Sequence, residues 1–373
     1  MTKIAYFVHN LADAAVARRI VMLRAGGAEV IVAGFCREEV APSEVAGARA
    51  IALGRTHDAD LGQRARMVLR NLVSPARLAE VAQGADVIVA RNLEMLVLAA
   101  RAAKLGRVQR LVYESLDIHR SLLGTGAANT VLRWIERRLM RQSALLIYSS
   151  PAFRRHYFAP VQGLAVPALL VENKLLDLEG ALPPPTSPLP GPPYTIGWFG
   201  NLRCKRTLAI LRQLADQGQG RIRILICGKP SDAEFPDFPA QVAHPHIRYL
   251  GPYTAADLPG LYAQCHFAWA IDYFEEGLNS TWLLPNRMYE SAAFGTVPIA
   301  LDSVETGHWL AVHGAGLLLS GPDVAAGVLA RIDALDPGTY AELRAAVETI
   351  SRAELICDVQ ECRALVAELA GTA

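Results

Sequence analysis

The sequence predicts an α/β protein made of two doubly wound parallel-sheet domains, and three observations carry that expectation. Short apolar runs alternate with helix-patterned segments throughout the 373 residues. The stretch LEGALPPPTSPLPGPP at 178–193, which suits neither a helix nor a central strand, separates two such series and reads as an interdomain linker. With 52% hydrophobic and 20% charged residues, the chain is long and apolar enough for two cores.

The first domain is expected over residues 1–177. It opens with Lys3–Val8 (KIAYFV), a short strand, then a helix over about 13–25 that stops at Gly26-Gly27, and a second buried strand at 29–35 (EVIVAGF). No GxGxxG lies between the first strand and helix, which argues against a dinucleotide-dependent dehydrogenase. Arg18 and Arg19 fall mid-helix, and one of them is a candidate to face a cleft. Residues 61–78 (LGQRARMVLRNLVSPARL) carry Arg64, Arg66, Arg70 and Arg77 without an acid, beside Met67, Leu69 and Val73. A later helix repeats the theme, with Val131, Ile135 and Leu139 on one stripe and Arg133, Arg137 and Arg141 on another. Such segments suit an anionic bilayer, and the alternative is an ordinary surface helix.

Between these basic segments, strands at 86–90 (DVIVA) and 110–113 (RLVY) run into Arg91-Asn92-Leu93-Glu94 and Glu114-Ser115-Leu116-Asp117-Ile118-His119. Ligands of open parallel sheets gather beyond the carboxyl ends of the strands, which makes Asp117 and His119 candidates to take a proton from a substrate hydroxyl. The competing expectation has Asp117 capping the next helix and His119 merely packing. Residues 144–148 (ALLIY) lead to the serine cap and proline start of Ser149-Ser150-Pro151, and the last strand lies at 166–171.

The second domain is expected over 194–352. A strand at 194–199 (YTIGWF) enters the polar loop Gly200-Asn201-Leu202-Arg203-Cys204-Lys205-Arg206, followed by a helix at 207–217. Glycine lets a phosphate approach the backbone and three nearby cations neutralise it; solvated charge on a turn is the alternative. Strands at 222–227, 247–250 and 267–271 run into Gly228-Lys229, Gly251-Pro252-Tyr253 and Asp272-Tyr273. Residues 284–299 (LPNRMYESAAFGTVPI) then predict a helix starting at Pro285-Asn286-Arg287, carrying a single acid, Glu290, stopped by Gly295 and followed by a short buried strand. A helix N-terminus with one carboxylate a turn further in suits a phosphorylated sugar. After Leu317–Leu319 and further helices, a closing helix over about 353–373 is expected to pack back on the first domain.

Charge is divided unevenly. Residues 1–177 hold 24 Lys and Arg against 15 Asp and Glu, whereas the remainder holds 13 against 21. The first half is expected to face something anionic, a phospholipid surface or a diphosphate-bearing acceptor; it has no nucleic-acid reading motif. The six cysteines form no CxxC pair and have no histidine at ligand spacing, so they read as buried thiols in a reducing compartment, and no metal is expected. No apolar run approaches membrane-spanning length and the first 20 residues do not pattern as a secretory signal, which predicts a cytoplasmic protein.

Two Rossmann-like halves, the proline-rich break and cations facing a helix-borne glutamate resemble the GT-B glycosyltransferases, most of all the family 4-like bacterial enzymes that build exopolysaccharides and lipopolysaccharides. The resemblance is carried by Gly197-Trp198-Phe199-Gly200-Asn201-Leu202-Arg203, by Leu284-Pro285-Asn286-Arg287 with Glu290, and by Gly295-Thr296-Val297-Pro298. It implies two domains facing a central cleft and closing about the linker, a nucleoside-diphosphate-sugar donor in the second, and a polyprenyl-diphosphate-linked saccharide acceptor in the first. Such an enzyme would sit peripherally on the inner face of the membrane and use no metal or other cofactor. It further implies that Gly200, Asn201, Arg203, Lys205, Arg206, Asn286 and Arg287 hold the donor diphosphate, that Glu290 binds the ribose hydroxyls, and that Gly251 and Tyr253 border the base. Many members carry a second glutamate eight residues earlier, where this chain has Trp282; Glu275 and Glu276 are the nearby acids. Residues 113–117 also resemble the segment bearing the catalytic aspartate of inverting xanthan glucuronosyltransferases. Asp117 then serves an inverting reaction as base, and His119 a retaining one. A nucleotide-sugar 2-epimerase and a non-catalytic glycosyltransferase-like partner share the fold and stay open.

Overall fold

The computed structural model describes residues 1–56, 61–186 and 189–372, and the chain divides into two compact units, Met1–Glu172 with Asp358–Ala373, and Asn173–Cys357. The first unit is built on an eight-stranded sheet: β1 (Lys3–Val8), β2 (Glu29–Cys36), β3 (Glu44–Val45), β4 (Ala48–Arg55), β5 (Val87–Arg91), β6 (Arg110–Ser115), β7 (Leu145–Tyr148) and β8 (Ala168–Leu170). The order is β3-β4-β2-β1-β5-β6-β7-β8, parallel throughout except at the β3–β4 hairpin. That hairpin turns on Ala46 (φ 49°) and Gly47 (φ 77°), the two positive φ values a right-twisted two-residue turn requires. The chain doubles back in order at β1, which pairs with both β2 and β5, so the crevice beyond the ends of β1 and β5 is this unit's switch point. β1 and β5 are almost wholly apolar and buried, as strands covered on both faces must be.

The closing segment is not one helix. Arg352–Leu355 is followed by β16 (Ile356–Cys357), which pairs in parallel with β9 (Leu175–Leu176) in the second unit. The helix Val359–Ala370 follows, capped by Asp358 through Glu361 N at 2.9 Å, and belongs to the first unit. It lies so close to the helix Ala14–Ala25 that a Cβ on Gly26 would come within 2.3 Å of the Cys362 carbonyl oxygen. Arg110 donates to the carbonyls of Leu369 and, at 2.6 Å, Glu368, which satisfies two acceptors that a helix end leaves open.

The second unit carries β10 (Tyr194–Leu202), β11 (Ile222–Pro230), β12 (Ile247–Tyr249), β13 (Phe267–Trp269), β14 (Val297–Leu301) and β15 (Leu317–Leu319), all parallel in the order β12-β11-β10-β13-β14-β15. Its switch point is the crevice between β10 and β13. Trp198, Phe199, Phe267 and Trp269 fill the sheet's centre.

The described residues of the stretch expected between domains, 178–186 and 189–193, lie within this second unit. The Asp177 carboxylate accepts from Ala181 N (3.0 Å) and Leu182 N (3.2 Å), Arg344 donates to the Thr186 carbonyl, and His266 Nε2 lies 3.3 Å from the Pro190 carbonyl. The prolines lack N–H groups but keep their carbonyls, so side chains of this unit supply donors to Thr186 and Pro190 and an acceptor for Ala181 and Leu182.

Candidate functional site

The second unit places most of the predicted residues at the ends of its central strands. β10 and β11 run on past their apolar stretches to Leu202 and Pro230, and Gly200 faces Gly228 across the pair. A Cβ on Gly228 (φ 147°) would lie 1.8 Å from the Gly200 carbonyl oxygen, so the two backbones meet where only glycine fits. Gly228 N donates to the Gly251 carbonyl at 2.8 Å and Cys227 Sγ lies 3.1 Å from it, which ties the end of β11 to the loop after β12.

The helix Lys205–Gln217 begins two residues before its predicted start. Cys204 is its cap, with the sulfur accepting from Thr207 N at 3.4 Å. Asn201, Arg203, Lys205 and Arg206 are exposed. Arg203 lies over the Phe274 ring at 4.3 Å and Arg206 over the Tyr273 ring at 4.2 Å. Arg206 also pairs with Glu276, and Lys205 Nζ lies 3.2 Å from Glu234 Oε2. These aromatic and acidic counterparts sit far off in sequence and were not expected. Pairs this exposed are worth at most about 1 kcal/mol, so a polyphosphate can displace the carboxylates.

The helix Asn286–Ala293 follows Pro285 as expected, with Asn286 exposed at its first position. Arg287 turns toward β13: Nη2 donates to the Ile271 carbonyl at 3.1 Å and lies 3.5 Å from Asp272 Oδ2, and its buried Nε has no hydrogen-bond partner among the described residues. Asp272, given from sequence only as the residue after a strand, also accepts from Phe274 N (2.8 Å) and Ser280 Oγ (3.2 Å). Glu290, half-buried, accepts at Oε2 from the Tyr262 hydroxyl at 3.1 Å. Burial first, and then the charge of Glu290, pushes the Tyr253 phenol above its ordinary value, and the same two causes push the Tyr262 phenol up as well. Tyr253, Tyr262 and Glu290 therefore form one group. Trp282 is half-exposed just after the turn Asn279–Thr281. Of the two nearby acids, Glu276 is the one paired with Arg206.

In the first unit, Asp117 and His119 are both exposed beyond β6. Ser115 Oγ donates to the Asp117 backbone carbonyl at 3.0 Å. His119, not Asp117, is the cap of the short helix Arg120–Leu123: its Nδ1 accepts from Ser121 N at 3.2 Å.

The charged residues that the sequence places at the ends of β5 and β6 pair inside the unit, a pairing not expected from sequence. Glu114, fully buried, accepts from Arg19 Nε (2.7 Å), Arg91 Nε (2.8 Å) and the Tyr6 hydroxyl (2.5 Å). Arg19 is thus buried in an ion pair and does not face a cleft. Burial raises the Glu114 pKa, but the Arg91 and Arg19 charges outweigh it and hold it at about 2. Beyond β1, His9 Nε2 lies 3.1 Å from Asp13 Oδ2. Burial raises Asp13 as well, yet the hydrogen bond and charge of His9 bring it to about 2. The only sequence signal for these groups is a charged residue next to a strand end.

The basic helices divide their arginines. In Ala127–Met140, Arg133 Nη1 donates to the Leu122 and Gly124 carbonyls at 3.0 and 2.5 Å, and Arg137 donates to that of Val161 at 2.6 Å. Val131, Trp134, Arg138 and Arg141 stay exposed. In Leu61–Val73, Arg64 lies 3.7 Å from Glu94, while Arg66, Leu69, Arg70 and Val73 are exposed. Among the described residues, no three His, Cys, Asp or Glu side chains gather as a metal-binding group, and no helix is long and apolar enough to cross a membrane.

Two doubly wound units with a polar site at the strand ends define the GT-B fold, and the chain belongs to the glycosyl transferase 4-like family: it is a glycosyltransferase. Residues 12–173 match the glycosyl transferase 4-like domain itself. Over 378 aligned residues, covering 99% of this chain and 94% of the relative, the sequence is 42% identical to the succinoglycan biosynthesis protein ExoL of Rhizobium meliloti. Among solved structures, HepE of Anabaena in complex with UDP and glucose superposes with a TM-score of 0.69 at 15% identity, each chain covered to 100%. Sucrose-phosphate synthase of Thermosynechococcus elongatus gives 0.71 at 14%, with 99% of this chain and 98% of that one covered. These two share the fold.

Proposed function

We propose that the second unit binds a nucleoside-diphosphate hexose and that the enzyme transfers the hexose to a lipid-linked saccharide during synthesis of a bacterial surface polysaccharide. The observation that carries this reading is Glu290, a carboxylate held by Tyr262 beside Tyr253, on a helix that follows the switch-point strand β13. The ribose hydroxyls donate to Glu290, the base lies along Gly251 and Tyr253, and the diphosphate takes Arg203, Lys205 and Arg206 from their exposed partners. Gly200, Asn201 and the start of the helix at Asn286 add backbone N–H groups, and Arg287 adds charge. The bound HepE and the name of ExoL support the donor class and the polysaccharide setting.

Chemically, an acceptor hydroxyl attacks the anomeric carbon, its proton passes to Asp117, and the bond to the diphosphate breaks with inversion. The arginines and helix dipoles stabilise the leaving diphosphate, so no metal is required. In a retaining reaction His119 takes the place beside the sugar. The acceptor binds the first unit, and the exposed Arg66, Leu69, Arg70, Val73, Trp134 and Arg138 rest on an anionic membrane.

The test is Glu290→Ala against a panel of UDP-, ADP- and GDP-sugars, read by thermal shift and by transfer. The wild type is expected to be stabilised by one donor in proportion to its affinity. The variant is expected to lose at least about tenfold in donor affinity, the scale of one or two charged hydrogen bonds. Unchanged binding and transfer would reject the site.

A further inference from the structure

We propose that Tyr262 is a positioning residue of the donor site: its phenol fixes the Glu290 carboxylate in the orientation that receives the nucleotide ribose. The inference rests on the reading of Glu290 given above and adds the residue that makes its carboxylate competent. Tyr262 ends the short helix Leu258–Tyr262 and is 1% exposed. Its ring is fixed on two sides, edge-on to Phe199 with centroids 5.0 Å apart and stacked on Phe294 at 5.7 Å. The backbone is pinned as well, because Thr296 Oγ1, itself buried, donates to the Tyr262 carbonyl at 3.1 Å. The hydroxyl therefore has one position, and that position is 3.1 Å from Glu290 Oε2.

Glu290 differs in kind. It is a longer side chain with more rotatable bonds, half-exposed on the helix Asn286–Ala293. A glutamate without a fixed partner would have to be ordered when the nucleotide arrives, and that ordering cost subtracts from affinity. A hydrogen bond from an immobile donor imposes the order beforehand. Burial and the neighbouring carboxylate keep the Tyr262 phenol protonated far above neutral pH, so it remains a donor wherever the enzyme works. The rigid partners come from three separate elements: Phe199 lies on β10, Phe294 caps the helix that carries Glu290, and Thr296 precedes β14. Tyr262 thus transmits the geometry of the sheet to the Glu290 carboxylate.

Tyr262→Phe removes only the hydroxyl and keeps the ring between Phe199 and Phe294. The probes are UDP and 2′,3′-dideoxy-UDP, titrated calorimetrically into the full-length protein, with the adenine and guanine pairs used instead if those bind the wild type more tightly. Tyr262→Phe and Glu290→Gln are each expected to weaken the ribonucleotide by about tenfold. The double variant should be no weaker than Glu290→Gln alone, because both act through one carboxylate. Neither substitution should matter for the dideoxy probe. In transfer assays Tyr262→Phe should raise the donor KM and leave kcat near wild type.

If Tyr262→Phe weakens the ribo- and dideoxy-nucleotides by the same factor, its role is general packing and the inference is overturned. It is equally overturned if Glu290→Gln weakens the ribonucleotide while Tyr262→Phe does not, an outcome that leaves the donor site standing. Glu290→Gln without effect would instead remove the donor-site reading itself. Should Tyr262→Phe melt early, the non-additivity with Glu290→Gln and the ribo-to-dideoxy contrast, both measured below the transition, still decide.

Discussion

Glu114 is buried between two arginines inside the first unit, whereas Asp117 and His119, the residues singled out for catalysis, are exposed. Its carboxylate lies between Arg19 and Arg91 with the Tyr6 hydroxyl on one oxygen, all out of contact with water. Because its folded pKa of about 2 lies below the ordinary 4.5, the unfolded chain takes up the proton first as acid is added. The stability it contributes is present in full above the unfolded value and is lost as pH falls through the interval toward 2. Glu114→Gln strands two buried guanidiniums without a counter-charge and should cost about 3–5 kcal/mol, read as a lowered urea midpoint at pH 7. The variant should also lose less stability than the wild type on acidification; an unaltered midpoint would mean that water reaches the pair. Glu136 is the opposite case. Burial raises its pKa, hydrogen bonds from Tyr113, Tyr157 and Gln162 pull the other way, and the outcome is a rise. Its carboxyl holds its proton more tightly folded than unfolded, so Glu136→Gln should be far milder.

At the scale of elements, the proposed donor site depends on how closely β10 and β11 approach. Gly228→Ala places a methyl 1.8 Å from the Gly200 carbonyl at a φ of 147°. One of the two strand ends must then move, at a cost of about 1–3 kcal/mol. Because β10 leads into the cationic loop and Gly228 N holds Gly251, binding of UDP should fall by more than the drop in melting temperature explains. Full retention of affinity would show that the loops are placed independently of the glycine pair. Elements also differ in how openly their sequence declares them. β1, β5, β10 and the helix of Glu290 follow from apolar runs, a Pro-Asn start and a glycine stop. β4 (ARAIALGR) does not, because alanines and arginines blur its alternation, and the Ala46-Gly47 turn is the only local sign of its hairpin.

For the whole molecule, the surplus of basic residues in the first 177 acquires a location. Part of it is spent internally: Arg19, Arg91, Arg110, Arg133 and Arg137 all bond to carboxylates or backbone carbonyls. What remains outside includes Arg66, Arg70, Arg138 and Arg141, beside exposed Leu69 (62%), Val73 (82%) and Trp134 (58%). The protein is expected to sediment with phosphatidylglycerol vesicles and to be released by salt. Replacing Arg66 and Arg70 by alanine should weaken that binding by about 2 kcal/mol, or about thirtyfold. Equal binding to neutral vesicles, or none to anionic ones, would refute membrane attachment through these helices.

The local chemistry of the chain determined the alternation of strands and helices, the two series on either side of a proline-rich stretch, the cationic loop after one strand and the lone acid on one helix. These rest on periodicity and on the turn and cap preferences of single residues, which act over a few positions. Only the tertiary structure decided which charges meet. Glu276 lies 70 residues from Arg206 and Glu114 lies 95 from Arg19, and no local rule spans such distances. It likewise assigned the proline-rich stretch to the second unit and the last helix to the first. It also brought Tyr262 to Glu290, because the position of the Tyr262 hydroxyl depends on Phe199, Phe294 and Thr296 packing from three different elements at once.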